Sequence, residues 1–504
     1  MSVRVRYAPS PTGSPHVGNI RTALFNDLFA RRHGGTNILR IEDTDRSRSV
    51  PGCEADIVES LKYVGIQWQE GYGAGGDCGP YVQSERSLAG LYDPHWNRLI
   101  ESGFAYWAFD TPQELEEMRK SQTDQGLATG YFGGAWRDAS EVEREKARAE
   151  GRPGVVRLRI PRDETIIVMD GVRGKIEYPS NTLDDPVLIK SDGMPTYHFA
   201  AMVDDHLMGV THIFRGEEWL GSAPKHIVLF KSLGWDPPEM VHLPVIKGRD
   251  GSKLSKRHGD TAALDFRRQG YLGVALANFI ALIGWSPGGD KEVMSINEMA
   301  EAFEIRGIQP SSGVFDLDKL MWMQGVHVRG MDTGSLLSEV KGYASNPETE
   351  SYWAAHPDSG VNMRGLSYFA DDSRHDLQAS AVELVKERVT TLADFGKASL
   401  FVLEAPSSYE EAALVKWKAV PTTSQVVQSV AEGLTTDAGM GPSDFEGLLR
   451  SVQTSLRIEK LGPVVHPVRL ALTGASTGPG LFELMAVLGS TDCRERLERF
   501  LADL

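Results

Sequence analysis

Cysteine is nearly missing from this 504-residue chain: Cys53, Cys78 and Cys493 stand alone, and none forms a Cys-x-x-Cys pair. That argues against a disulfide scaffold and against a cysteine-rich zinc site. Long apolar runs are missing too. The longest, residues 272–285, is interrupted by Asn278 and is too short to span a bilayer. Residues 1–6 alternate valine with arginine and contain no apolar signal core, so a cytoplasmic location without a membrane partner is expected. A basic excess is also lacking. The net charge of −16 argues against a protein that coats nucleic acid indiscriminately. No internal repeat or long low-complexity tract is visible. What remains, 41% hydrophobic and 24% charged residues, is ordinary globular material, enough for several cores. The length predicts roughly two to four domains.

Inside this acidic whole, Lys247, Arg249, Lys253, Lys256, Arg257 and His258 form one dense basic cluster. A solvated loop is the common meaning of such a cluster; here Gly248 and Gly251 flex it. At the other end of the chain, Val3, Val5 and Tyr7 alternate with Arg4 and Arg6, which predicts a strand. Pro9, Pro11 and Pro15 then enforce a loop. Val17, Ile20, Leu24 and Leu28 follow helical spacing up to a stop at His33-Gly34-Gly35, and residues 37–41 read as a second strand ending in Glu42-Asp43-Thr44-Asp45. A strand–helix–strand unit predicts a parallel sheet, whose ligands sit beyond the carboxyl ends of the strands. Residues 111–151 read as charged helix. Residues 155–160, 165–169 and 186–190 read as short strands, so the middle of the chain is an inserted α+β domain. Strand and helix signals resume at Ile213 and residues 225–233. Beyond about Met331 helical spacing dominates, with residues 346–359 a loop between helices.

A loop that opens a helix offers free backbone N–H groups and the positive end of a dipole to an anion. Gly18 permits close approach to the first turn, and His16 adds a ring that reaches phosphate oxygens. On the local pattern alone, a tight turn with an incidental histidine explains the segment equally well. Lys253-Leu254-Ser255-Lys256-Arg257 lacks the order of a Walker loop. Its two lysines can still close over a triphosphate and stabilise charge on departing pyrophosphate, by positioning and electrostatics alone.

The pairing of His16-Val17-Gly18-Asn19, after Ala8-Pro9-Ser10-Pro11-Thr12-Gly13, with Lys253-Leu254-Ser255-Lys256-Arg257 resembles the paired signatures of the class I aminoacyl-tRNA synthetases. More narrowly, the chain resembles the bacterial glutamyl-tRNA synthetases. Arg40-Ile41-Glu42-Asp43-Thr44-Asp45, Gly79-Pro80-Tyr81-Val82-Gln83-Ser84-Glu85-Arg86, Ser191-Asp192-Gly193-Met194-Pro195-Thr196-Tyr197-His198, Val203-Asp204-Asp205-His206, Phe214-Arg215-Gly216-Glu217-Glu218-Trp219 and Leu472-Thr473-Gly474 carry the likeness over essentially the whole chain.

The resemblance implies an α/β fold: a Rossmann-type parallel-sheet catalytic domain at 1–82 and 197–238, split by an acceptor-end-binding α+β insertion at 83–196. A stem-contact region with the lysine loop at 239–330 and an all-helical anticodon-binding half at 331–504 follow. It implies ligation of L-glutamate to tRNA(Glu) through glutamyl-adenylate, with ATP and Mg²⁺, by a monomer. His16, Gly18, Lys253 and Lys256 would be catalytic. Pro9, Ser10, Pro11, Thr12, Gly13, Asn19, Leu254, Ser255 and Arg257 would complete the ATP site. Arg6, Ser10, Glu42, Tyr197 and Arg215 would bind glutamate, and Arg388 would distinguish tRNA(Glu) from tRNA(Gln). No acidic residue stands three or four positions from Arg388, so the alternative for it is a stem lying on the apolar stripe of its helix. Asn19 replaces the usual second histidine of the first signature, and Ala201 stands where some members carry a polar side chain. The insertion lacks the cysteines with which some members bind zinc, so no zinc and no other resident metal is expected. Rival readings are an enzyme that also charges tRNA(Gln), a glutaminyl enzyme with a β-barrel tail, a glutamyl-queuosine-type enzyme without an anticodon half, and a non-catalytic tRNA-binding paralogue.

Overall fold

A computed structural model describes residues 2–255, 257, 261–371, 374–435 and 439–504. The chain forms two compact units, Met1–Phe266 with Gly273–Lys319, and Arg267–Leu272 with Leu320–Leu504.

In the first unit the expected strand–helix–strand opening is present. β1 (Arg4–Tyr7) and β2 (Thr36–Leu39) are parallel, in register from Arg4↔Thr36 to Tyr7↔Leu39, and β3 (Glu70–Gly71) continues the sheet beside β2. The intervening helix Val17–Arg32 is buried nearly all round, with Val17, Ile20, Ala23, Leu24 and Leu28 fully enclosed. Its apolar stripe is wider than the sequence spacing alone predicts, because the helix packs against β1 and β2 and also against the helices Gly273–Ala281 and Ile296–Ala302. Arg31 and Arg32 occupy its last turn, where cations suit the dipole, and Gly34 takes the left-handed φ of +58° that ends it.

Five strands follow: β4 (Ala105–Ala108), β5 (Val155–Leu158), β6 (Thr165–Asp170), β7 (Gly174–Pro179) and β8 (Val187–Ile189). β4, β5 and β8 form an antiparallel sheet. The hairpin β6–β7 joins elsewhere: β6 pairs in parallel at Met240 with β10 (Glu239–Leu243), which pairs along its length with β9 (His212–Gly216). Part of the expected insertion therefore shares a sheet with the strands that follow it. The helices Pro112–Asp124 and Glu141–Ala149 each begin with a capping box, Thr111 with Glu114 and Ser140 with Glu143. β11 (Ile246–Lys247) and β12 (Gly313–Val314) pair in parallel.

Among the described residues of the second unit, every regular element is helical, from the helix that begins at Leu317 to Leu481–Asp503. Its largest core gathers Val426, Val430, Phe445, Leu449, Val468, Leu484, Leu497 and Phe500 around that last helix. One expectation changes here. Residues 346–359 are not a loop: Asn346 caps a helix Pro347–Ala354, and Pro357 opens a short 3₁₀ turn, each proline sitting where a first turn tolerates it. Arg388 ends a 3₁₀ turn, Lys386–Arg388, and is exposed.

Candidate active site

The carboxyl ends of β1, β2, β9 and β10 open into one cavity of about 1330 Å³, the place a parallel α/β sheet offers a ligand. Two walls differ in character.

The first wall is the loop from Ala8 to Pro15 and the opening turn of the helix Val17–Arg32. His16 caps this helix. Its Nδ1 accepts from the N–H of Gly18 (3.0 Å) and of Asn19 (3.4 Å), while Asn19 Oδ1 accepts from the N–H of His16 (3.2 Å). The N–H groups of Gly18 and Asn19 are therefore occupied by the imidazole, not free as the loop pattern suggests. A Cβ on residue 18 would stand 2.8 Å from His16 Cε1, so this capped form requires glycine there. Asn19 has a definite job in place of the usual histidine, closing the capping box.

The lysine segment borders the same cavity. Val17 N donates to Thr261 O (2.9 Å) and Ala263 N to Pro15 O (3.1 Å), which tie the chain a few residues beyond the lysine segment to this wall. Leu254 N donates to Ile246 O (2.9 Å), and Lys253 forms a bridge with Lys247. Burial lowers the pKa of His16, and the charge of Lys253 lowers it further. Lys253 and Leu254 line the cavity; Ser255 and Arg257 stand outside its lining, Arg257 near Asp250 at 3.6 Å. Lys256, the other expected catalytic lysine, and His258 lie outside the described residues.

The second wall is the sheet. Arg6, Glu42 and Arg215 are buried, Tyr197 is half-buried and Ser10 is exposed; all five line the cavity. An internal ion network fixes the first two. Asp205 Oδ1 accepts from Arg6 Nε (3.0 Å) and Arg40 Nη1 (2.8 Å), and Arg40 Nη2 donates to Glu42 Oε1 (2.8 Å). Asp204 extends it, accepting from Arg86 Nε (2.6 Å), Gln83 Nε2 (2.9 Å) and the Tyr92 hydroxyl (2.9 Å). Burial raises the pKa of Asp205, but the charges of Arg6 and Arg40 outweigh it and hold the carboxyl below its usual range. At Glu42 burial prevails over Arg40 and Arg6, and the pKa is raised. Tyr197 packs against Trp219, ring centroids 4.2 Å apart and planes tilted by 35°.

Arg215 is held differently. Nε donates to His242 Nε2 (2.9 Å) and Nη1 to His226 Nδ1 (3.0 Å). Burial lowers its pKa. Ala201 is fully buried and does not line the cavity. Sequence reasoning gave no role to Asp205, Trp219, His226 or His242. The first two lay within quoted motifs; the histidines carried no spacing signal.

In the second unit, Arg388 makes no hydrogen bond or ion pair among the described residues, and its charge helps lower the pKa of Arg469 after the larger effect of burial.

Residues 2–322 match the family described as tRNA synthetases class I (E and Q), catalytic domain, and residues 352–501 match an anticodon binding domain. A glutamate–tRNA ligase of Desulforudis audaxviator is 40% identical over 504 residues, covering 99% of this chain and 96% of its own length. One of Chlorobium phaeobacteroides is 39% identical, covering 99% and 97%. The crystal structure of a glutamate tRNA ligase from Elizabethkingia meningosepticum, in complex with its amino acid, superposes with a TM-score of 0.87 at 34% identity over the whole of both chains. The chain belongs to the class I tRNA synthetases (E and Q).

Proposed function

We propose that the chain ligates L-glutamate to tRNA(Glu) in two steps. An oxygen of glutamate's α-carboxylate attacks the α-phosphorus of ATP, the bond to the bridging oxygen breaks, and pyrophosphate leaves. The terminal ribose hydroxyl of the tRNA then attacks the carbonyl of the adenylate, and AMP leaves. The observation that carries this reading is that the expected glutamate set and most of the expected ATP set, Lys253 and Leu254 included, line one cavity at the strand ends.

On this reading Arg6 and Arg215 take the substrate's carboxylates, Glu42 faces its ammonium, and Ser10 and Tyr197 close the pocket. ATP, entering with Mg²⁺, lies along residues 9–13 and the turn of His16, Gly18 and Asn19. For a phosphate to use the N–H groups of Gly18 and Asn19, the His16 ring must give them up, freeing Nδ1 for the ligand. Lys253 and Lys256 stabilise the charge that develops on pyrophosphate, and Leu254, Ser255 and Arg257 belong to the same loop. The catalytic domain at 1–82 and 197–238, the insertion at 83–196, the stem-contact region at 239–330 and the helical half at 331–504 divide these tasks. Among the described residues no helix is long and apolar enough to cross a membrane, and we take the enzyme to act in the cytoplasm as a monomer.

Arg388, exposed and without a partner among the described residues, suits a reader of the anticodon. Glutamate-dependent ATP–pyrophosphate exchange, run with tRNA(Glu), with tRNA(Gln) and with neither, tests the whole reading. Exchange that depends on glutamate and favours tRNA(Glu) is expected. Exchange equally supported by tRNA(Gln) removes the role of Arg388, and no exchange under any condition overturns the assignment.

A further inference from the structure

Arg215 is a buried cation, 5% exposed, yet among the described residues it pairs with no carboxylate. Its closest partners are two imidazoles; the Tyr197 hydroxyl also interacts with it, and a contact of Nη2 to Met240 Sδ at 3.9 Å is weak. Because a guanidinium only donates, both imidazole nitrogens that face it must be unprotonated. The tautomers follow in sequence. His242 accepts at Nε2, so its Nδ1 carries the proton and donates to Asp170 Oδ2 at 2.6 Å. His226 accepts at Nδ1, so its Nε2 carries the proton and donates to His198 Nδ1 at 3.0 Å. Burial lowers the pKa of all three histidines, that of His198 to about 4. Other ionisable groups face the cluster from every side. They are Arg6 on β1, Tyr197 and Asp205 on the helix Tyr197–Leu207, Lys225 on the helix Ala223–Ser232 with its partner Asp184, and Arg173 beyond β6.

We propose that His226, His242 and Asp170 are positioning residues for the amino-acid substrate, aiming the Arg215 guanidinium with neutral acceptors so that its charge is left for the substrate's carboxylate. An aspartate in their place would hold the arginine equally well but would offset its charge. Asp170 acts at one remove: it fixes the His242 tautomer that can accept. Three strands supply the chain in spatial order, Asp170 from β6, His242 from β10 and Arg215 from β9, which gives the hairpin β6–β7 a reason to sit on this sheet. The inference rests on the reading of Arg215 as a glutamate-binding residue.

Steady-state aminoacylation of tRNA(Glu) by the full-length enzyme tests it, with KM measured separately for glutamate and ATP. His242→Leu and His226→Leu remove the acceptor. Each is expected to raise the glutamate KM about tenfold to a hundredfold, while kcat and the ATP KM move by less than about threefold. His242→Gln and His226→Asn each place an amide oxygen near the lost acceptor and are expected to recover most of that loss. The wild-type glutamate KM should stay level down to the ordinary imidazole pKa of 6.5 and climb only below it. In His242→Gln that climb should shrink, a readout available even if the leucine variants fail to fold. Arg215→Gln raising the glutamate KM while the leucine variants leave it unchanged, or an equal acid climb in His242→Gln, overturns the proposal. Arg215→Gln without effect on the glutamate KM overturns the underlying reading and the positioning role with it.

Discussion

The two walls of the cavity solve opposite problems. The sheet wall buries charge: Arg6, Arg40, Glu42, Asp204, Asp205 and Arg215 are all less than a tenth exposed, the first five held by mutual ion pairs and Arg215 by two histidines. The loop wall leaves Lys253 exposed on a segment that Gly248 and Gly251 flank, and its histidine is engaged with its own helix. A small substrate with fixed charges is best met by pre-set partners, because each buried contact is strong only if its geometry is maintained. A triphosphate, whose charge moves during reaction, is better served by cations that can follow it. On the proposed function the sheet wall would select the amino acid and the loop wall would activate it.

The comparison breaks most violently at Asp205. Asp205→Ala leaves Arg6 and Arg40 buried without their shared carboxylate, and a loss of about 3–5 kcal/mol is expected in urea unfolding of the first unit. The pH dependence has a definite sign. Since the carboxyl is held below its usual range in the folded state, its stabilisation is complete above the unfolded value of about 3.9 and is lost as pH falls through the folded one. A variant as stable as the wild type at pH 7 means that the network is ornamental to the sheet wall. On the loop wall the corresponding change is small. Asn19→Ala removes one half of a capping box, costing about 1 kcal/mol, and the same unfolding measurement checks it. If the two losses were equal, the walls would not differ in rigidity as described.

Much of the sheet wall was legible beforehand because β1, the first helix and β2 are local and periodic, and because parallel sheets place ligands at strand ends. The loop wall was legible as chemistry but not as geometry. Nothing in the spacing of His16, Gly18 and Asn19 says that the imidazole turns back onto its own helix. The histidines around Arg215 were illegible for a different reason. Residues 170, 198, 226 and 242 lie on four elements, and only the order β7-β6-β10-β9 brings them together. The helix Pro347–Ala354 was missed because polar residues and prolines suggest a loop, yet an asparagine followed by proline is also how a helix starts.

The division of labour is tested most directly by measuring glutamate and ATP KM values and kcat side by side in Arg215→Gln and Lys253→Ala. The account predicts a crossed result. Arg215→Gln raises the glutamate KM about a hundredfold with the ATP KM nearly unmoved. Lys253→Ala lowers the rate of adenylate formation about a hundredfold with the glutamate KM nearly unmoved. Parallel losses, with both variants impairing both substrates alike, would contradict it.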